Sequence, residues 1–159
     1  MTGTQVTAAT IRPAVPADRA AIERLLAESG LPTMGVAGIL RGHADDFFVA
    51  EVDGPERTLV GVAGLEVCGG TALLRSVAVL PEWRSQGLGR ELVRRVVCHA
   101  EARDLRALYL LTMTAEHYFP RFGFERIDRG EVPEEVAATL EFKSACPATA
   151  AAFMKRIGR

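Results

Sequence analysis

Short apolar runs rich in β-branched and aromatic residues recur along the first half of this chain: Val6–Arg12, Phe47–Val52, Leu59–Val67 and Leu73–Leu80. Their length and composition predict strands. Asp53-Gly54 and Gly69-Gly70 mark turns between them. The spacing then changes. Leu88, Leu92, Val93, Val96 and Val97 recur at helical intervals, with charges at Arg90, Glu91, Arg94 and Arg95, which predicts a long helix from Gln86 to Arg103. An earlier helix opens at Pro16-Ala17-Asp18, buries Ile22, Leu25 and Leu26, and stops at Ser29-Gly30. Leu31–Val36 reads as an irregular loop, and Met1–Thr4 as a loose end. Downstream, Leu108–Thr112 and Phe124–Asp128 read as strands. Ala115–Phe122, stopped by Gly123, and Glu134–Thr139, led by Pro133, read as short helices. The alanines of the tail, Ala148–Met154, favour helix.

The join between the strand ending at Pro81 and the long helix carries the most specific chemistry. The first amides of a helix lack intrahelical partners and bear partial positive charge, which suits a phosphate. Gly87 and Gly89 let an anion approach the backbone, and Arg84 adds a fork of donors. The pattern is neither a Walker loop nor Gly-x-Gly-x-x-Gly. Two polar residues interrupt the strands. Glu66 lies between Leu65 and Val67, and strand alternation leaves it either solvated or placed for proton transfer. Arg75 breaks the apolar run Leu73–Val79 and needs a counter-charge there. That partner is either Glu66 or another core acid in a structural ion pair, or an anionic substrate group clamped by two hydrogen bonds.

Composition narrows the classes. The 159 residues fit one domain with a real core, and a net charge of −1 does not indicate a broad nucleic-acid surface. No apolar run reaches membrane-spanning length, and MTGTQVTAAT lacks the features of a signal peptide. Cys68, Cys98 and Cys146 form no Cys-x-x-Cys and read as reduced thiols of a cytoplasmic protein, with Cys98 in the core. His43, His99 and His117 show no metal-ligand spacing with them, so no metal is expected.

Arg84-x-x-Gly87-x-Gly89 after Val77-Ala78-Val79-x-Pro81 resembles the acetyl-coenzyme A loop of the GNAT N-acetyltransferases. Tyr118-Phe119-Pro120-Arg121-Phe122-Gly123-Phe124 resembles the second landmark of that family, a short helix ending in Gly-Phe. The resemblance spans most of the chain. It implies an α/β (α+β) fold over residues 1–159, with a mixed sheet of about seven strands flanked by helices, and a last strand where the tail's alanines favour helix. It implies acetyl-CoA as cofactor and coenzyme A as product. Arg84, Ser85, Gln86, Gly87, Leu88, Gly89 and Arg90 then hold the pyrophosphate, and Val77, Ala78 and Val79 pair with the pantetheine arm. Tyr118 and Phe119 also fall in the cofactor site. Glu66 becomes the general base, directly or through water. Family members often carry Tyr where Phe119 stands, as acid to the departing thiolate. Tyr118 or Tyr109 could replace it, or the thiolate leaves without an acid, the option favoured here.

Leu110-Leu111-Thr112-Met113-Thr114-Ala115 resembles two narrower groups that acetylate free amino acids. One is the arsenic-resistance N-acetyltransferases acting on arsinothricin, with relatives active on phosphinothricin. The other is the acetyltransferase domain of N-acetylglutamate synthases. Gly30-Leu31-Pro32-Thr33, Leu74-Arg75-Ser76 and the run from Glu141 to Pro147 resemble the arsenic-resistance group more, while Met34-Gly35-Val36 departs from its acidic residue after Leu-Pro-Thr. The expected reaction is acetylation of the α-amino group of a small amino acid with an anionic side chain, arsinothricin or phosphinothricin first. Arg75, Ser76, Thr33, Thr112 and Thr114 are the expected substrate contacts, and a homodimer is expected. The alternatives are an N-acetylglutamate synthase-like enzyme and a non-catalytic acyl-CoA-binding module.

Overall fold

The computed structural model describes residues 9–54, 58–145 and 149–158, and side chains at 144 and 145 are not part of that description. The loose Met1–Thr4, the start of the strand expected from Val6, Cys146 and the first tail residue Ala148 lie outside the described residues.

The strands are β1 (Thr10–Pro13), β2 (Phe47–Val52), β3 (Thr58–Cys68), β4 (Thr71–Val79), β5 (Ala107–Thr112), β6 (Glu125–Ile127) and β7 (Ala151–Arg156). They form one sheet of seven strands in the order β1-β2-β3-β4-β5-β7-β6. The helices are α1 (Arg19–Glu28), α2 (Val36–His43), α3 (Leu88–Ala102) and α4 (Glu134–Ala137). By contacts the chain divides into two compact units, Met1–Gly64 with Ser76–Val96, and Leu65–Arg75 with Val97–Arg159. Thus β3, β4 and α3 each contribute residues to both.

In the first unit β2 pairs antiparallel with β1, Thr10 opposite Glu51, and with β3, with a register shift between Ala50 and Glu51. Ile22, Leu25 and Leu26 of α1 and Val36 and Leu40 of α2 bury against Phe47, Val49, Val62 and Ala78. The entry to α1 is held by charge. Arg12 reaches Asp18 at 2.8 Å and Glu51 at 3.0 Å, and Asp18 also accepts the Val15 N–H at 2.9 Å. Burial pushes the Asp18 carboxyl up, but its hydrogen bonds from Arg12 and Val15 and the guanidinium charge hold it below the ordinary value.

In the second unit β4 pairs parallel with β5 from Thr71 opposite Ala107 to Leu73 opposite Tyr109. β7 pairs antiparallel with β5 on one side and β6 on the other. Leu73, Ala107, Tyr109 and Val136 form a core, with Cys68, Ile127, Phe142 and Met154 packed on it.

Several elements differ from the sequence reading. The loop expected over Leu31–Val36 gives way at its last residue to α2, in a stretch that the sequence reading left unassigned, and the left-handed Gly35 at φ 85° marks the start of that helix. Its glycines, Gly38 and Gly42, dilute helix propensity, while burial of Val36 and Leu40 one turn apart holds it. The helix expected over Ala115–Phe122 is only a turn of 3-10 helix, Phe119–Phe122, because Pro120 supplies no N–H for an α-helical bond. The tail, open between helix and strand in the sequence, is the strand that the resemblance implied, Ala151–Arg156, since pairing on both edges outweighs the helix preference of alanine. Cys98, expected in the core, is exposed. It stands two residues from buried Val96 and from buried Ala100, so the helical repeat turns it to the opposite face. No helix among the described residues is long and apolar enough to cross a membrane.

Candidate active site

The anion-binding candidate lies in the first unit. Pro81–Trp83 forms a 3-10 turn after β4, and Arg84 follows in extended backbone. The Trp83 N–H donates to Leu80 O at 2.9 Å, and the Arg84 N–H to Pro81 O at 3.2 Å. Arg84 Nε donates back to Val79 O at 3.0 Å, so the side chain braces the loop against the strand end. Ser85 and Gly87 are both left-handed, with φ of 68° and 82°. Left-handed residues of this kind occur in the backbone nests that bind anions. α3 starts at Leu88, directly after Gly87. A Cβ built on Gly87 meets no atom within 4 Å, so the space beside the backbone is open. These features fit a pyrophosphate at the expected loop. Arg84, Ser85, Gln86, Gly87 and Arg90 are exposed, and Leu88 and Gly89 are partly so.

Of the other expected residues in this unit, Ala78 and Val79 are buried and Val77 is half-buried. Thr33 is half-buried, and its carbonyl accepts the Val36 N–H at 3.2 Å. Ser76 is buried and left-handed at φ 62° inside β4. Such a residue costs about 1–3 kcal/mol, and nothing in its sequence announced it.

The second unit gathers the titratable residues. Arg75 Nη1 lies 2.9 Å from Glu66 Oε1, and Arg75 Nε lies 3.3 Å from Glu141 Oε1. The arginine side chain is 0% exposed, Glu141 6% and Glu66 25%. Of the two partners open to Arg75 in the sequence, this is the ion pair, made twice. With its side chain wholly buried, Arg75 meets an anionic substrate group only after its surroundings move. Burial pushes the Glu141 carboxyl above its ordinary value; the Arg75 charge pulls it back and the Glu66 charge adds to the rise. Burial similarly pushes the Cys68 thiol to about 11, helped by the charges of Glu66 and Glu135.

Thr112 Oγ1 accepts the Ala115 N–H at 2.9 Å, which ties its hydroxyl to the turn after β5. Thr114 is exposed. Phe119 is buried, edge-on to Tyr118 and Phe124, and Arg121 lies over the Tyr118 ring at 5.2 Å. Tyr109 is buried in the core with Leu73 and Val136. Of the tyrosines weighed as acids, Tyr118 is the more exposed. Among the described residues no three His, Cys, Asp or Glu side chains are grouped to hold a metal. Glu141 is the site residue that the sequence reading passed over. Its signal was an acid between Leu140 and Phe142, in a chain whose strand arginine needed one.

This chain resembles known proteins over much of its length. Residues 43–126 match the model of the acetyltransferase (GNAT) domain. An uncharacterized N-acetyltransferase of Chlorobaculum tepidum is 30% identical over 130 residues, covering 79% of this chain and 81% of that protein. An amino-acid acetyltransferase of Pseudomonas fluorescens is 29% identical over 120 residues, covering 74% of this chain but 27% of its own length. The N-acetylglutamate synthase of Neisseria gonorrhoeae, solved with coenzyme A and N-acetyl-glutamate, superposes with a TM-score of 0.78 at 22% identity. It covers 95% of this chain and 35% of that one, and at this identity it shows the fold alone.

Proposed function

The chain belongs to the GNAT acetyltransferase family, and we propose that it acetylates the α-amino group of a small amino acid with an anionic side chain, glutamate ahead of arsinothricin or phosphinothricin. The observation that carries the acceptor class is the similarity to an amino-acid acetyltransferase across 74% of this chain. It supports the synthase-like alternative over the arsenic-resistance reading, because that relative is named an amino-acid acetyltransferase and the superposed N-acetylglutamate synthase was solved with N-acetyl-glutamate. The chain spans about a quarter of that relative's length, so only the acetyltransferase part of such an enzyme is at issue.

Acetyl-CoA supplies the activated acetyl group. The loop from Arg84 to Arg90 binds the pyrophosphate through its amides and the start of α3, and Val77–Val79 pair with the pantetheine arm. Tyr118 and Phe119 line the cofactor. Glu66, held by Arg75, accepts the proton that the amine loses as its nitrogen attacks the thioester carbonyl. The C–N bond forms, the C–S bond breaks, and the sulfur leaves as thiolate, with no side-chain acid needed at Phe119. Ser76, Thr33, Thr112 and Thr114 contact the acceptor, and Arg75 reaches its anionic group only after its surroundings move. In the same reading residues 1–159 act as one domain and form a homodimer, which analytical ultracentrifugation tests.

The test is release of free CoA thiol from acetyl-CoA over a panel of glutamate, arsinothricin, phosphinothricin, a lysine peptide and a polyamine. Turnover is expected with the amino acids, glutamate first. Preference for the peptide or polyamine overturns the acceptor class. Coenzyme A binding without turnover of any acceptor favours the non-catalytic acyl-CoA module.

A further inference from the structure

We propose that Glu141 is a positioning residue for acyl transfer, fixing the carboxylate of Glu66 through the guanidinium they share. The inference rests on Glu66 as the base and adds a residue to that site. One carboxylate suffices to neutralise a buried arginine. Here two converge on Arg75, at 2.9 Å and 3.3 Å, from β3 and from the π-type turn Glu141–Ala145. That turn is itself secured. The Phe142 N–H donates to Thr139 Oγ1 at 3.2 Å, and the Lys143 N–H to Thr139 O at 3.0 Å. Arg129 lies over the Phe142 ring at 4.6 Å, and Phe142 packs on the core of Leu73, Tyr109 and Val136. Glu141 is therefore seated from both sides of its own backbone.

The consequence is electrostatic. Glu66 and Glu141 share one positive charge, so the charge on Glu141 bears on Glu66 through Arg75. Among the described residues, the charged or titratable groups around this cluster include Arg75 on β4, Glu66 and Cys68 on β3, and Glu135 on α4. Neutralising Glu141 leaves the whole guanidinium charge to Glu66, which then gives a weaker proton acceptor.

The experiment is the pH dependence of kcat/KM for Glu141→Gln and Glu141→Asp, with Glu66→Gln as control. Glu141→Gln is expected to move the acidic limb to lower pH by about one unit and to lower kcat about tenfold, with the KM for acetyl-CoA unchanged. Glu141→Asp, which keeps the charge, is expected to return the limb toward its original place. A merely structural Glu141 lowers melting temperature and leaves the limb where it was, and that result overturns the proposal. If neither variant folds, carbon-detected NMR of the unsubstituted protein decides the matter. The carboxyl signals of Glu66 and Glu141 should each titrate in two steps, each reporting the other. Independent single steps overturn it. Full turnover in Glu66→Gln removes the base and Glu141's role together. Loss of turnover there, with an unmoved limb in Glu141→Gln, removes only the latter.

Discussion

Arg75 donates from Nη1 to Glu66 Oε1 at 2.9 Å; the arginine side chain is wholly buried, while the glutamate keeps 25% of its exposure. A charge so placed depends on its partners more than they depend on it. Arg75→Met strands two carboxylates, one of them deeply buried, and should cost about 3–5 kcal/mol in urea denaturation. A loss below about 1 kcal/mol, the size of a surface ion pair, shows that the cluster contributes little to the fold.

Glu66→Gln should separate rate from stability. Glu141 remains as counter-ion to Arg75, so the buried charge is not orphaned. With the base removed, kcat is expected to fall ~10²–10⁴-fold while the melting temperature changes little. Near-normal turnover across pH means that Glu66 is only a strand residue.

Gly87→Val tests the cofactor loop. No atom lies within 4 Å of the added Cβ, so the damage to the free protein comes from φ of 82° and not from a clash. The left-handed penalty is about 1–2 kcal/mol. The same open space is where a phosphate approaches, so calorimetry should show lost acetyl-CoA affinity in a folded variant. Unchanged affinity rules out the pyrophosphate reading.

The raised Glu141 carboxyl gives stability a sign with pH. Its native form holds a proton more tightly than the unfolded chain does, so stability declines as pH rises from the ordinary 4.5 through the native value. Glu141→Gln has no proton to lose. Denaturation curves from acid to neutral pH should therefore show the unsubstituted protein losing stability relative to this variant. Parallel curves contradict the assignment.

Thiol alkylation should distinguish two cysteines. Cys98 is exposed, whereas burial and neighbouring acids hold the Cys68 thiol at about 11. At pH 8, peptide mapping after iodoacetamide treatment should find Cys98 modified well before Cys68. Equal rates show that Cys68 is more open than the fold places it.

The legible parts of the sequence were those with local causes. Phe47–Val52 is a strand with the bounds its composition predicts, and Ile22, Leu25 and Leu26 face inward as their spacing requires. Gly87 stands where a left-handed residue ends the loop, a constraint visible in its type. What could not be read depends on distant partners. α2 is held by the burial of Val36 and Leu40, and the tail becomes a strand through β5 and β6. Arg75 advertised its need for an acid, but choosing Glu141 required knowing that a turn more than sixty residues away comes back to β4. Ser76 gave no warning, because serine is not a residue that left-handed backbone selects.

The place of β7 also bears on how the protein emerges during synthesis. It is the last strand in chain order, yet it lies inside the sheet between β5 and β6. A ribosome delivers β5 and β6 first, and neither has the other as a neighbour. Until Ala151–Arg156 clears the exit tunnel, each presents an unpaired edge open to other nascent chains. The second unit therefore closes only once β7 is free to pair, and a chaperone that shields strand edges can act until Arg156 has left the tunnel.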